Sequence, residues 1–170
     1  MPPNEALLDA CIRGKSVMVT GAGGSIGSEL CRQIARLGAA RIVLVENSER
    51  ALFEIERELI VERGFPACAA VLADVGNGRK LREVFERYRP AVVFHAAAYK
   101  HVGLLEANPI ESVRNNSLAT RVLADVAVEF ETKRFVLVST DKAANPKPRD
   151  MASRPHPNSA PSGFMKMLKV

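Results

Sequence analysis

The chain has 170 residues, 47% apolar and 25% charged, with a formal net charge of +5, a composition that supports one globular core. No apolar run approaches the ~18 residues of a membrane helix and no signal-peptide core opens the chain, so a cytoplasmic protein without a membrane segment is expected. The charge does not indicate nucleic acid: residues 1–141 hold 18 basic and 18 acidic side chains, and in residues 142–170 six basic residues meet only Asp150, with no nucleic-acid motif beside them.

Residues 1–15 read as a lead segment. The first apolar run, Ser16-Val17-Met18-Val19-Thr20, passes directly into the glycine cluster Thr20-Gly-Ala-Gly-Gly-Ser-Ile-Gly27. Ile26, Leu30, Ile34 and Leu37 then share one helical face. Strand, glycine turn and helix in that order form a phosphate-binding entry of the dinucleotide type. Gly21 permits the tight turn, Gly24 lets a pyrophosphate approach the backbone, and Gly27 allows helix and strand to pack closely. Amides at the helix start, from Ser25 and Ile26 to Gly27, face the phosphates with the positive end of the helix dipole behind them.

Four more apolar runs follow, at 41–45, 69–73, 91–96 and 134–139. They are apolar on both faces, as parallel strands covered by helices on each side must be. Asn47-Ser48 is a cap for a helix carrying Leu52, Ile55 and Leu59. Leu81, Val84, Phe85 and Tyr88 mark a further helical face, and Val122, Leu123, Val126 and Phe130 another. Gly38, Gly64 and Pro90 fall where helices should stop. The alternation predicts an α/β fold, a doubly wound parallel sheet of the Rossmann type over residues 16–143. Beyond it, residues 144–170 hold Pro146, Pro148, Pro155, Pro157 and Pro161, which forbid a helix and leave an irregular, basic tail.

Glu46 ends the second run, where a carboxylate can accept hydrogen bonds from the adenosine ribose. That charge repels a 2′-phosphate and leans toward NAD, while Arg50 nearby keeps NADP open. Asp74 and Val75 end the third run, where the adenine edge would lie. Ala96, Ala97 and Ala98 follow the fourth, small enough to let a cofactor pass. Cys11, Cys31 and Cys68 are widely spaced and read as reduced packing residues. His95, His101 and His156 are equally scattered, so no metal site is expected.

The glycine turn with Asp74-Val75, His95-Ala-Ala-Ala-Tyr-Lys-His-Val102, Glu106-Ala-Asn-Pro109, Val113-Arg-Asn-Asn116 and Ser139-Thr-Asp-Lys-Ala143 resembles one group. These are the nucleotide-sugar 4,6-dehydratases of the extended short-chain dehydrogenase/reductase superfamily, the CapD-like polysaccharide biosynthesis proteins. The resemblance runs from about Leu7 to Pro146, and its nearest activity is UDP-N-acetylglucosamine 4,6-dehydration. It implies a bound NAD or NADP that takes hydride from the sugar C4, loss of water across C5 and C6, and return of the hydride to C6. On that pattern Thr140 binds the 4-oxygen, Asp141 is the acid for the departing 6-hydroxyl and Lys142 the base at C5. Ser139 lies beside the cofactor. Lys100 and His101 lie near the UDP-sugar, Lys100 as a contact to its diphosphate or sugar and His101 either as a contact or as a packing or surface residue, and Asn115 or Asn116 supports the site backbone.

Read from the residues alone, Asp141-Lys142 is equally a strand-end ion pair. The family also expects a Tyr or Met followed four residues later by Lys after Asn145-Pro146, yet here Met151 is followed by Pro155. The sequence therefore reads as truncated or frame-shifted after about residue 146, without the sixth strand and substrate domain, and as weakly active or inactive by itself. Two alternatives stand beside the dehydratase: a non-catalytic NAD(P)-binding regulator, and a UDP-sugar 4-epimerase, which Asp141-Lys142 disfavours. A homo-oligomer is left open.

Overall fold

The structure is a computed structural model that describes residues 5–139; the basic tail, the Met151–Pro155 departure and the Thr140-Asp141-Lys142 triplet lie outside the described residues. Five parallel strands, β1 (Ser16–Thr20), β2 (Arg41–Glu46), β3 (Cys68–Leu72), β4 (Val92–His95) and β5 (Arg134–Leu137), form one sheet in the order β3-β2-β1-β4-β5. The chain runs outward from β1 to β3, then crosses back to start again at β4. The β1–β4 boundary is thus the switch point of a doubly wound sheet.

Val17, Met18 and Val19 of β1 are wholly excluded from solvent because they point alternately into two cores. On one face Val17, Val19, Ile42 and Leu44 meet α1 (Glu5–Ile12), α2 (Ser25–Arg36) and α3 (Glu49–Arg57) through Ile12, Cys31, Ile34, Leu52 and Ile55. On the other Met18, Val43, Val45 and Val93 meet α4 (Gly78–Tyr88) and α7 (Ala119–Glu129) through Leu81, Val84, Phe85, Leu123 and Val126. Between β4 and α7 run two short helices, α5 (Val102–Ala107) and α6 (Pro109–Val113), and a π-helical turn at Arg114–Leu118.

The local punctuation follows the sequence closely. The Ser48 hydroxyl caps α3 by accepting the Ala51 amide. Helix α2 ends at Arg36 before Gly38, α3 extends through a π-helical turn to Glu62 before Gly64, and α4 ends at Tyr88. Pro90 bars the helical region to Arg89, which turns to φ 42° and lays its guanidinium 5.1 Å above the Phe130 ring.

Boundaries differ in detail. β3 begins one residue earlier than its apolar run, and β4 and β5 are shorter than theirs. Residues 5–12, read only as lead, form a helix that seats Ile12 in the core. The buried stripe of α2 is Gly27, Cys31 and Ile34, whereas Ile26 is 53% exposed at the first turn, above the strand ends. Among the described residues no helix is long and apolar enough to cross a membrane.

Candidate functional site

The carboxyl ends of β1, β2 and β4 meet at the switch point, and the residues between them build a narrow shelf. At Gly21 the backbone turns with φ 66°, a conformation open to glycine at no steric cost. The Gly21 amide donates to the Val45 carbonyl at 2.9 Å, and the Gly24 amide closes the turn on the Gly21 carbonyl at 3.0 Å. A Cβ at Gly21 would lie 2.9 Å from the Ala96 carbonyl carbon and the Ala97 Cα. The glycine turn therefore rests directly on the loop that leaves β4.

Helix α2 starts at Ser25 without a side-chain cap. Its first helical hydrogen bond is donated by Ser28 to Gly24 at 2.8 Å, so the Ser25, Ile26 and Gly27 amides stand in the first turn, where a helix has no internal acceptor to offer. Ser25 and Ile26 are exposed. A Cβ on Gly24 would approach only the Gly21 carbonyl, at 3.2 Å. The far side of Gly24 is thus open, a cradle that fits a pyrophosphate and that a larger side chain would fill.

Glu46 leans over this turn from the end of β2. Its Oε2 accepts the Gly23 amide at 3.0 Å, and its Oε1 accepts the Asn47 and Ser48 amides at 2.9 and 3.1 Å. A carboxylate offers about four acceptor positions, so one remains for a sugar hydroxyl. Arg50 is exposed and its guanidinium pairs with Glu54 at 2.8 Å, one turn along α3.

Asp74 is also exposed and accepts the Gly76 amide at 2.6 Å. Its neighbour Val75 is different: the side chain is buried in the core, so only its backbone is at the surface's disposal. Ala96 donates to the Thr20 carbonyl at 3.1 Å, Ala97 packs on the core and Ala98 is exposed. Ser139 is exposed just beyond β5, after Val138 donates to the His95 carbonyl at 3.0 Å.

Past the alanines, Ala98, Tyr99, Lys100 and His101 border an open cavity of about 440 Å³ also lined by Leu104, Leu105, Asn108 and Glu111. Lys100 and His101 are both exposed there. Asn116, in the π-helical turn, clamps this loop. Its Oδ1 accepts the Tyr99 amide and its Nδ2 donates to the Tyr99 carbonyl, both at 2.9 Å. Asn115 only donates to Asn116, at 2.9 Å; Asn116 is the residue that supports the loop.

The sequence assigned no role to Thr20, His95 or Thr120. Thr20 and His95 are the two polar side chains fully buried among the described residues. Thr20 Oγ1 lies 2.6 Å from His95 Nδ1, and His95 Nε2 lies 2.8 Å from Thr120 Oγ1. Burial holds the His95 pKa down at about 4. The available signal was faint: Thr20 ends one apolar run and His95 stands one residue before the end of another.

Residues 17–152 match a protein family described as polysaccharide biosynthesis protein. The chain belongs to that family. It is 44% identical over 142 residues to the capsular polysaccharide biosynthesis protein CapD of Staphylococcus aureus, covering 83% of this chain and 24% of the relative. It is 46% identical over 136 residues to the probable polysaccharide biosynthesis protein EpsC of Bacillus subtilis, covering 79% and 23%. A UDP-N-acetylglucosamine 4,6-dehydratase (inverting) of Campylobacter jejuni is 28% identical, with 78% and 38% covered.

Among solved structures, Pen from Bacillus thuringiensis superposes with a TM-score of 0.72 at 25% identity, covering 78% of this chain and 40% of that one. A UDP-glucose 4-epimerase from Bifidobacterium longum, in complex with NAD+ and UDP, gives 0.67 at 29% identity, covering 75% and 38%. The chain spans about a quarter of the length of CapD and EpsC.

Proposed function

We propose that this chain supplies the dinucleotide-binding part of a nucleotide-sugar-modifying enzyme of polysaccharide synthesis, acting as a 4,6-dehydratase on UDP-N-acetylglucosamine. The observation that supports it most is the glycine shelf: Gly21 seated on Ala96 and Ala97, open amides at the start of α2, and Glu46 above. NAD is the favoured cofactor over NADP, because the Glu46 carboxylate occupies the ribose edge while Arg50 is paired with Glu54. The relatives named for capsule synthesis and for 4,6-dehydration point the same way.

Bound there, the nicotinamide supplies reversible removal and return of hydride. The chain's own groups do the rest. Gly24 and the Ser25–Gly27 amides hold the diphosphate, Glu46 the adenosine ribose, and Asp74 with Val75 the adenine edge. Ala96, Ala97, Ala98 and Ser139 leave room along the cofactor. Thr140 holds the sugar 4-oxygen, Asp141 gives a proton to the departing 6-hydroxyl, and Lys142 takes the C5 proton. Elimination of water needs such an acid and base across one bond. Lys100 and His101 face the UDP-sugar. We place the protein on the cytoplasmic side, where UDP-sugars are handled, and treat residues 16–143 as the binding domain between a lead segment and a tail.

The test joins this chain, after Pro146, to the matching remainder of the Staphylococcus aureus relative and follows keto-sugar formation from UDP-N-acetylglucosamine. Turnover by the fusion, with little from residues 1–170 alone, is expected, because hydride removal at C4 must precede elimination and needs the sugar held in register. Epimerisation of the UDP-sugar without a keto-sugar would replace the reading with the 4-epimerase, which the likeness to the Bifidobacterium longum enzyme favours. NAD binding without either reaction would leave a regulatory module.

A further inference from the structure

The hydrogen bonds around His95 have a direction that can be worked out. Thr120 has one hydroxyl proton, and it is donated to the Asn116 carbonyl at 2.8 Å. Towards the ring, the same oxygen can only accept. The proton on the His95–Thr120 bond therefore belongs to His95 Nε2. The ring is buried beside Thr20, Thr120 and the Phe135 ring, and that burial keeps it neutral. A neutral ring with Nε2–H has a bare Nδ1, so the Thr20 hydroxyl donates to it.

All the protons then point one way, from Thr20 to His95 to Thr120 to the Asn116 backbone. The two ends of this line are informative. Thr20 immediately precedes Gly21, and its carbonyl accepts the Ala96 amide at 3.1 Å. Asn116 grips Tyr99 by both backbone groups. The line thus starts at the glycine turn and ends at the loop that borders the cavity of Lys100 and His101.

We propose that His95 is a positioning residue: as a neutral Nε2–H imidazole it locks Thr120 and Asn116 in place, and through Asn116 sets the Tyr99–His101 loop against the glycine turn. That the loop meets a sugar nucleotide rests on the function proposed above; the lock itself does not. The side chain is buried away from the surface and acts through Thr120 and Asn116.

Two measurements on the whole chain test it, neither using activity. Long-range proton–nitrogen correlation of the imidazoles at neutral pH should give His95 a fixed neutral Nε2–H pattern; an Nδ1–H or averaged pattern overturns the proposal. Amide exchange at Tyr99 reads the clamp directly. Thr120→Val keeps the shape but removes both the acceptor for His95 and the donor to the Asn116 carbonyl, and should speed Tyr99 exchange by about tenfold, the worth of one hydrogen bond. Val43 and Leu44 in β2 should be unchanged, and Thr120→Ser should restore the slow rate. An unchanged Tyr99 rate, or a rise shared equally by Val43, overturns it. Failure to bind NAD would move none of these readings, so the two proposals fail separately.

Discussion

The Gly27 Cα faces the Gly21 carbonyl oxygen so closely that no Cβ can stand between them. Helix α2 can enter the sheet at this angle only while residue 27 lacks a side chain.

Gly27→Ala should therefore destabilise the protein by about 1–3 kcal/mol or more, the usual cost of overpacking against backbone that cannot yield. Gly64→Ala makes the comparison. Gly64 has φ 63° but open space around its Cβ position, so strain alone applies, about 1–2 kcal/mol. Urea melts of both variants should rank Gly27→Ala as the more damaging; the reverse order would contradict the close approach.

Gly24→Val separates folding from binding. Gly24 sits at φ −70° and ψ 165°, ordinary extended backbone that valine adopts. The melting temperature should fall modestly, since the new Cβ would sit 3.2 Å from the Gly21 carbonyl, while NAD affinity falls by about tenfold or more, a loss of at least ~1.4 kcal/mol. Equal NAD affinity in titrations of the two proteins would remove the diphosphate from this turn.

Glu46→Ala strands three backbone amides, those of Gly23, Asn47 and Ser48. Hydrogen bonds to a charged group contribute about 1.5–3 kcal/mol each when buried, and less here because the site is only half-buried. NAD should weaken more than NADP, since the charge that repels a 2′-phosphate is gone. A shift of preference toward NAD in paired titrations is the outcome that contradicts the ribose contact.

The reading of fold from sequence worked where a pattern is local. Apolar runs on both faces, a Ser48 cap and glycines at helix ends each act within a few residues. The run of β5 extends two residues past the strand because Val138 continues the apolar pattern up to Ser139, while the strand ends at Leu137 on the sheet's edge. Choosing between Asn115 and Asn116 needed the phase of the π-helical turn, which neighbouring residues do not reveal. His95 was illegible for a different reason. Its partners lie 75 residues before it and 25 after it, and only the pairing of β1 with β4 and the packing of α7 on the sheet bring them together.

Acid should weaken the fold in two windows. The His95 pKa is depressed to about 4 from 6.5, so the unfolded chain binds its proton first as pH falls. Stability is full above about 6.5 and declines toward 4, by roughly 1.4 kcal/mol per pH unit at most for this group. Glu58 sits between the Arg32 and Arg63 guanidiniums, Arg32 having the larger effect, and is held at about 2. Its contribution is present above about 4.5 and is lost as pH falls to 2. Urea midpoints between pH 7 and 4 should fall in the wild type and fall less in His95→Gln.

Thiol chemistry should follow burial. Cys31 is wholly buried, which pushes its thiol far up, and Cys68 is pushed to about 11. Native alkylation followed by mass spectrometry should leave Cys31 unmodified until denaturant is added. Labelling of Cys31 at the rate of Cys11 would place it at the surface.

The pairing of β1 with β4 sets an order of events. Thr20 and His95 are 75 residues apart in the chain, and contacts that distant form late because the intervening loop must close first. Before β4 docks, the glycine turn can exist against β2 alone, with Val45 accepting its amides, but Ala96 and Ala97 are not yet beneath it. A half-made sheet therefore has a phosphate turn and no floor. Any ligand that spans both will select the finished molecule and add its binding energy only to that state.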